Sequence, residues 1–278
     1  MVDFMGYLAA RPDACLWIAD TDYTARLLAG GAPPWLDVAS LIAWRQQAQT
    51  LLRPSVTVLD VGALVEAWLA DRPALWQAAI AKKGPAAALG AVLDDDSLKQ
   101  HVSAVLIGLK RSYPGQPLAL VMPSPLAWNS IFIKDMQHAR SHLDDEEIED
   151  AAVNMADFLR AFGSDEVDVL ALVEDSGAAR RAPELFELYD PVINVARHYR
   201  WAVGLDLTTL DSPCDVDPPM DFLIARQGDV RCLGQDVSSA VWSGDKAPQA
   251  PAGGFLYVRI PAETNPEEVL TRLAAMSA

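Results

Sequence analysis

The sequence predicts a (β/α)8 barrel formed by a single domain over residues 1–278. Eight short apolar or β-branched runs recur along the chain, and a helical pattern separates most of them. Runs of this kind that alternate with helices are typical of parallel sheets built from βα units. The length of 278 residues suits one barrel, which commonly takes about 250 residues. A doubly wound open sheet is the alternative that the pattern leaves open.

Eight segments are predicted as strands because they are short, apolar and bounded by turn residues. The run VDVLALV at residues 167–173 is almost continuously apolar, as expected for a strand covered on both faces. In chain order, the predicted strands are residues 14–20, 56–61, 118–122, 167–173, 201–207, 220–225, 230–233 and 254–260.

Helical periodicity predicts the segments between the strands. In residues 144–162, apolar positions such as Ile148 and Leu159 recur at helical spacing, and the first turn is acidic. Residues 266–276 begin with proline and have Asn265 as the predicted N-cap. The other predicted helices are residues 36–52, residues 62–81 with a break at Pro73, residues 98–113 and residues 182–199.

Composition excludes several classes of protein. The chain carries 38 Asp and Glu against 22 Lys and Arg, for a formal net charge of −16, so nucleic acid is not expected as a partner. The N-terminus lacks the basic and apolar regions of a signal peptide, and no apolar run approaches the roughly 18 residues of a membrane span. Cys15, Cys214 and Cys232 lie far apart, which favours reduced thiols over disulfides. We therefore predict a cytoplasmic protein with no membrane partner.

Motifs for common cofactors do not occur in the sequence. There is no GxGxxG, no Walker loop and no GxSxG, so the dinucleotide-binding, P-loop and serine-hydrolase classes lose their main support. His138 and His142 have i,i+4 spacing but lack the glutamate of HExxH between them. We predict no metal site from these histidines.

Carboxylates follow several predicted strands, at the end of a barrel where active sites lie. Asp20, Asp60 and Asp206 are predicted as catalytic residues because a carboxylate at this end can move a proton. Asp20 and Asp60 could equally cap the helices that follow them. Asp206 interrupts an apolar run, and a buried charge there is costly unless it has a partner or a function.

Five further residues near predicted strand ends are predicted to bind substrate. The arginines among them would hold an anionic group, although Arg226 and Arg259 could instead pair with nearby carboxylates. The five residues are Arg26, Trp128, Glu174, Arg226 and Arg259.

Four segments resemble, in chain order, the uroporphyrinogen decarboxylase and cobalamin-independent methionine synthase superfamily. The family's second strand, with its aspartate, is similar to residues 59–70, LDVGALVEAWLA. Its third strand is similar to residues 118–128, LALVMPSPLAW. FLRAFGSDEVDVLALVEDSG at 158–177 resembles a helix followed by the acidic end of the fourth strand. GGFLYVRIPAETNPEEVLTRLAAM at 253–276 resembles the closing strand and helix. Members of this superfamily are (β/α)8 barrels.

The sequence departs from the superfamily at two functional places. The arginine-rich loop of the decarboxylases corresponds here to ADTDYTAR, which has Arg26 alone and added acids. The His-x-Cys zinc motif of the methyltransferases corresponds to Asp206-Leu207-Thr208, so a bound metal is not the main expectation. If a zinc site survives in altered form, its candidate ligands are Asp206, His198 and Cys232.

The resemblance implies, first, a metal-free lyase of the decarboxylase type that acts on a small or medium-sized organic acid without a cofactor. The first alternative is a methyltransferase-like enzyme with a corrinoid or folate methyl donor and an altered zinc site. The second is a non-catalytic barrel subunit whose acidic rim docks on a basic partner protein. Members of the superfamily often form dimers, so the resemblance also leaves a homodimer open.

Overall fold

A computed structural model describes residues 2–11, 15–135, 143–174, 184–209, 219–228, 230–245 and 248–276 of this chain. His138, His142 and Cys214, which the sequence singled out, lie outside the described residues, as do residues 175–177 after the fourth predicted strand.

Eight parallel strands form one curled sheet whose order follows the chain, as a (β/α)8 barrel requires. From β2 to β8, each strand pairs with the next strand in the chain, and β8 also pairs with β1. This order confirms the predicted barrel and rules out the doubly wound sheet. The strands are β1 (Leu16–Ala19), β2 (Thr57–Asp60), β3 (Leu118–Pro123), β4 (Val169–Val173), β5 (Ala202–Asp206), β6 (Phe222–Ala225), β7 (Leu233–Asp236) and β8 (Phe255–Arg259).

Among the described residues, β1 and β2 are joined by hydrogen bonds at the lower end of the barrel alone. The Ser55 backbone N–H donates to the Leu16 carbonyl at 2.9 Å, and the Leu16 N–H donates to the Ser55 hydroxyl at 2.9 Å. Within the part of the chain that the structure describes, no strand ladder continues above this contact. The upper ends of β1 and β2, which carry Asp20 and Asp60, are therefore not tied to each other by backbone hydrogen bonds.

β7 differs from its prediction, because residues 230–233 were expected to form the strand and the structure begins it at Leu233. The strand continues through Gly234, which weakens the strand signal in the sequence. A Cβ on Gly234 would lie 2.4 Å from the Phe255 ring, so the close packing of β7 against β8 requires glycine there. Tertiary packing therefore sets the register of β7.

The helices surround the sheet. The predicted break at Pro73 is confirmed, whereas the single helix predicted for 182–199 is two helices, with Pro191 in the first turn of the second. No helix in the described ranges is both long and apolar enough to cross a membrane. The helices are α1 (Phe4–Ala9), α2 (Thr21–Ala29), α3 (Val38–Leu52), α4 (Val61–Asp71), α5 (Pro73–Ile80), α6 (Pro85–Leu93), α7 (Asp96–Ser112), α8 (Pro125–Asp135), α9 (Asp145–Arg160), α10 (Glu184–Glu187), α11 (Asp190–His198), α12 (Ser238–Ser243) and α13 (Pro266–Met276).

The interior of the barrel is filled at the bottom and open at the top. The Phe4 ring of α1 packs against the rings of Trp17, Phe222 and Phe255 at centroid distances of 6.1, 5.3 and 5.9 Å. Nearer the carboxyl ends of the strands, smaller side chains such as that of Ala171 point into the barrel. Aromatic packing therefore closes one end of the barrel and leaves space at the carboxyl ends of the strands.

Candidate active site

A cavity of about 580 Å³ lies at the carboxyl ends of the strands, above the Trp17 ring. Its walls come from strand residues that point inward and from residues of α2, α4, α5 and α8. The size is ordinary for a site that binds a small molecule. The polar side chains that line it are those of Asp20, Thr21, Asp22, Asp60, Glu66, Asp206, Tyr257 and Arg259.

Asp60 ends β2 and has one carboxylate oxygen available to a ligand. Its Oδ1 accepts a hydrogen bond from the Ala63 N–H at 2.9 Å, so the residue caps α4 as well as lining the cavity. Among the described residues, its Oδ2 has no hydrogen-bond partner. Burial raises the pKa of Asp60, the charge of Asp22 adds to this effect, and the Ala63 hydrogen bond opposes it. A half-buried carboxylate with a raised pKa is suited to accept a proton.

Asp206 ends β5 and belongs to a network with residues of β8. Its Oδ1 accepts from the Thr208 N–H at 2.9 Å and from the Thr208 hydroxyl at 2.7 Å. The Tyr257 hydroxyl donates to Oδ2 at 3.3 Å and accepts from Arg259 at 3.2 Å. The Arg259 guanidinium lies 3.8 Å from Oδ2 with half of its side chain exposed. Burial raises the pKa of Asp206, while the Thr208 hydrogen bonds and the charge of Arg259 oppose that change.

Asp20 lines the cavity but is held by a buried ion pair. Arg45 of α3 donates to both carboxylate oxygens, at 3.2 and 3.0 Å, and the two side chains are almost fully buried. The Asp20 side chain makes no capping hydrogen bond to α2, although it stands at the N-cap position. The charge of Asp20 is therefore already compensated within the fold.

One side of the cavity is apolar. On this side the cavity is lined by residues of α4, α5 and α8, the helices that come after β2 and β3 in the chain. The Trp76 and Phe132 rings lie there with their centroids 5.3 Å apart. Trp128, which the sequence predicted as a substrate ligand, belongs to this wall and is buried. The side chains of the apolar wall are Val65, Leu69, Trp76, Trp128, Ile131 and Phe132.

Glu174 is buried behind the cavity rather than in its lining. Its carboxylate accepts hydrogen bonds from the Ser124 hydroxyl and, at 2.8 Å, from the Tyr189 hydroxyl. The Ser124 hydroxyl also accepts from the Ala127 N–H at 3.0 Å, at the start of α8. These contacts tie the ends of β3 and β4 to α8, and so give Glu174 a supporting position beside the site.

Two predicted arginines do not reach the cavity. Arg26 of α2 is exposed, where it pairs with Glu263 at 2.6 Å and donates to the Ala262 carbonyl at 3.1 Å. Arg226, just after β6, is also exposed and is not part of the lining. Of the three arginines predicted as substrate ligands, the structure brings Arg259 to the cavity.

The candidate zinc ligands do not come together. Asp206 lies at the carboxyl end of β5, whereas His198 precedes β5 and Cys232 precedes β7, at the opposite end of the barrel. Burial raises the pKa of the Cys232 thiol to about 11, which disfavours the thiolate that zinc binds. In the residues for which positions are described, no group of three His, Cys, Asp or Glu side chains could hold a metal. The proposed ligand set therefore does not fit a zinc ion.

Sequence reasoning missed Arg45 and Tyr257, which complete the polar part of the site. Arg45 lies on a helix 25 residues beyond its partner, and no local pattern connects the two. Tyr257 could have been predicted, because residues two apart in a strand share a face and Arg259, two residues later, is a candidate in the sequence.

Comparison with solved structures finds a similar fold in a methyltransferase from Methanosarcina mazei. The TM-score is 0.58 at 12% sequence identity, over 99% of this chain and 97% of that chain. No protein-family model matches the chain, and the comparison with curated proteins gives no match. At this identity the similarity concerns the fold alone.

Proposed function

We propose that this chain is a methyltransferase that acts on a small molecule bound in the cavity, with Asp60 as the proton acceptor. The observation that carries the proposal is the half-buried Asp60 carboxylate, which lines the cavity and whose Oδ2 has no hydrogen-bond partner among the described residues. The fold shared with a methyltransferase supports it, as does the resemblance of four segments to a superfamily that includes methionine synthase.

In this proposal, the acceptor carries its exchangeable proton on the atom that receives the methyl group. A lone pair on that atom forms the bond to the methyl carbon, and the bond between methyl and donor breaks with its electrons remaining on the donor. The proton of the acceptor moves to Asp60 Oδ2. A carboxylate placed to accept a proton typically contributes about 10²–10⁴-fold to a rate.

The methyl donor is a second substrate, and a methylated corrinoid or folate is the class we propose. The residues on this chain would position the acceptor. The Tyr257 hydroxyl remains protonated because burial raises its pKa well above the ordinary value, and it fixes both Asp206 and Arg259. Arg259 would then lie at a constant place on the rim of the cavity.

Decarboxylation of an organic acid is the second candidate, and Arg259 is the observation that favours it. The guanidinium is half exposed at the cavity and can bind a carboxylate. Protonated Asp206 would supply the proton that replaces carbon dioxide. Five carboxylates share the lining with this single arginine, which favours methyl transfer.

The test is a methyl-transfer assay with methylcobalamin or methyltetrahydrofolate and a panel of thiols, alcohols and amines, with products followed by mass spectrometry. We expect Asp60→Asn to lower the transfer rate by about 100-fold or more. The control is Glu149→Gln, which removes one exposed charge from α9, outside the cavity. Absence of methylated product with both donors would reject the proposal, and release of carbon dioxide from an organic acid would favour the second candidate.

A further inference from the structure

The cavity carries negative charge that the protein itself does not neutralise. Arg45 compensates Asp20, and Arg259 lies beside Asp206. Asp22, Asp60 and Glu66 also line the cavity, and none of them forms an ion pair with a described basic residue. Asp22 and Glu66 are exposed at the rim, and Asp60 is deeper.

These charges lie next to the apolar wall. Asp60 ends β2 and caps α4, and the same helix supplies Glu66 to the rim and Leu69 to the apolar wall. Asp60 is therefore joined directly to the element that begins this wall. A ligand that matches both features has an apolar body and one group that is positively charged or rich in hydrogen-bond donors.

We propose that the cavity selects a small organic amine in its protonated form, with the ammonium group at Asp60 and the apolar body against Trp76 and Phe132. The inference rests on the cavity being the site of the function proposed above, and it names the class of acceptor. A carboxylate ligand of the same shape would instead add a negative charge beside three carboxylates that form no ion pair with a described basic residue.

The chemistry of a protonated amine agrees with the role assigned to Asp60. An ammonium group donates hydrogen bonds to Asp60 Oδ2, and charge-assisted bonds of this kind are the stronger ones. Loss of one proton from the ammonium nitrogen to Asp60 leaves a neutral amine with a free lone pair. The nitrogen then attacks the methyl carbon of the corrinoid or folate donor, and the product is a methylated ammonium ion.

The affinity of the amine should increase with pH as Asp60 ionises. Burial and the charge of Asp22 raise the pKa of Asp60, and Arg45 and Arg259 are the cations that oppose the rise. Because the ammonium group prefers ionised Asp60, its affinity increases as pH rises through the pKa of the free protein. An uncharged ligand lacks this increase.

Isothermal titration calorimetry with three matched ligands tests the inference: 3-phenylpropylamine, 3-phenylpropanol and 3-phenylpropanoate. We expect the amine to bind with a 1:1 stoichiometry, the alcohol to bind roughly tenfold more weakly, and the carboxylate to bind more weakly still. In Asp60→Asn, the affinity ratio of amine to alcohol should fall close to one. Glu66→Gln, at an exposed position, should lower the same ratio without a change in folding.

The control is again Glu149→Gln, which changes the net charge by the same amount outside the cavity and should keep the ratio unchanged. Equal affinity for the three ligands, preference for the carboxylate, or failure of all three to bind would overturn the inference. Calorimetry needs no turnover, so amine selectivity without methyl transfer would reject the proposed function alone. Methyl transfer to thiols with no amine selectivity would reject this inference alone.

Discussion

Arg45 of α3 donates from both terminal nitrogens of its guanidinium to the carboxylate of Asp20, at 3.2 and 3.0 Å. The two side chains are 7% and 2% exposed, so this ion pair is shielded from water. It fixes α3 to the end of β1, at the seam where β1 has no ladder with β2 in the described chain. Asp20 is thus a positioning residue at the edge of the cavity.

Removal of one partner of this pair should be costly. Arg45→Met leaves Asp20 as a buried charge without a cation, and we expect the free energy of unfolding to fall by about 3–5 kcal/mol. Addition of Asp20→Asn to that variant removes the unpaired charge and should restore at least half of the loss. Urea unfolding of both variants measures the difference. A double variant no more stable than Arg45→Met would contradict the account.

Ionised Asp206 should lower the free energy of unfolding at neutral pH. Burial raises its pKa, so the folded protein holds this proton more tightly than the unfolded chain does. Its contribution to the free energy of unfolding is therefore greatest at low pH and decreases as pH rises from about 4 through the folded pKa. Asp206→Asn lacks this titration, so urea unfolding across the acidic range should show wild type losing stability relative to the variant as pH rises. The opposite trend would contradict the assigned direction.

The apolar wall should contribute equally to the affinity for charged and uncharged ligands. Ile131 lines the cavity and is 46% exposed, so Ile131→Ala should change the free energy of unfolding little. We expect it to weaken 3-phenylpropylamine and 3-phenylpropanol by the same factor, about three- to fivefold. Val153 is 44% exposed on α9 outside the cavity, and Val153→Ala is the matched control. If calorimetry showed a loss of affinity for the amine alone, the wall would not act through apolar contact.

Two thiols should be unreactive in the folded protein. Burial raises the pKa of Cys15 to about 12 and that of Cys232 to about 11, so neither is a thiolate at neutral pH. Treatment with iodoacetamide followed by peptide mass spectrometry should label them only after unfolding in urea. Rapid labelling of Cys232 without denaturant would show that the lower end of the barrel is open.

The barrel could be predicted because most of its strands are local apolar runs and its helices have local periodicity. Asp60 and Asp206 were found for the same reason, since each ends a strand and strand ends meet at one face. Sequence could not distinguish Arg259, which reaches the cavity, from Arg26, which turns to Glu263 instead. That choice depends on which long side chain the fold orients inward.

Other features depend on contacts between distant segments. Arg45 reaches Asp20 from a neighbouring helix, and the apolar wall is assembled from three helices. The three candidate zinc ligands lie apart for a related reason, because His198 and Cys232 precede their strands and Asp206 ends one. A strand boundary thus decides which end of the barrel a residue occupies.

A crystal structure of the protein with 3-phenylpropylamine tests the central claim most directly, because the claim is that one cavity binds an apolar ammonium ligand at Asp60. We predict the amine nitrogen at about 3 Å from Asp60 Oδ2, with the phenyl ring against Trp76 and Phe132. An amine bound elsewhere on the protein, or in the cavity with its nitrogen turned away from Asp60, would contradict it.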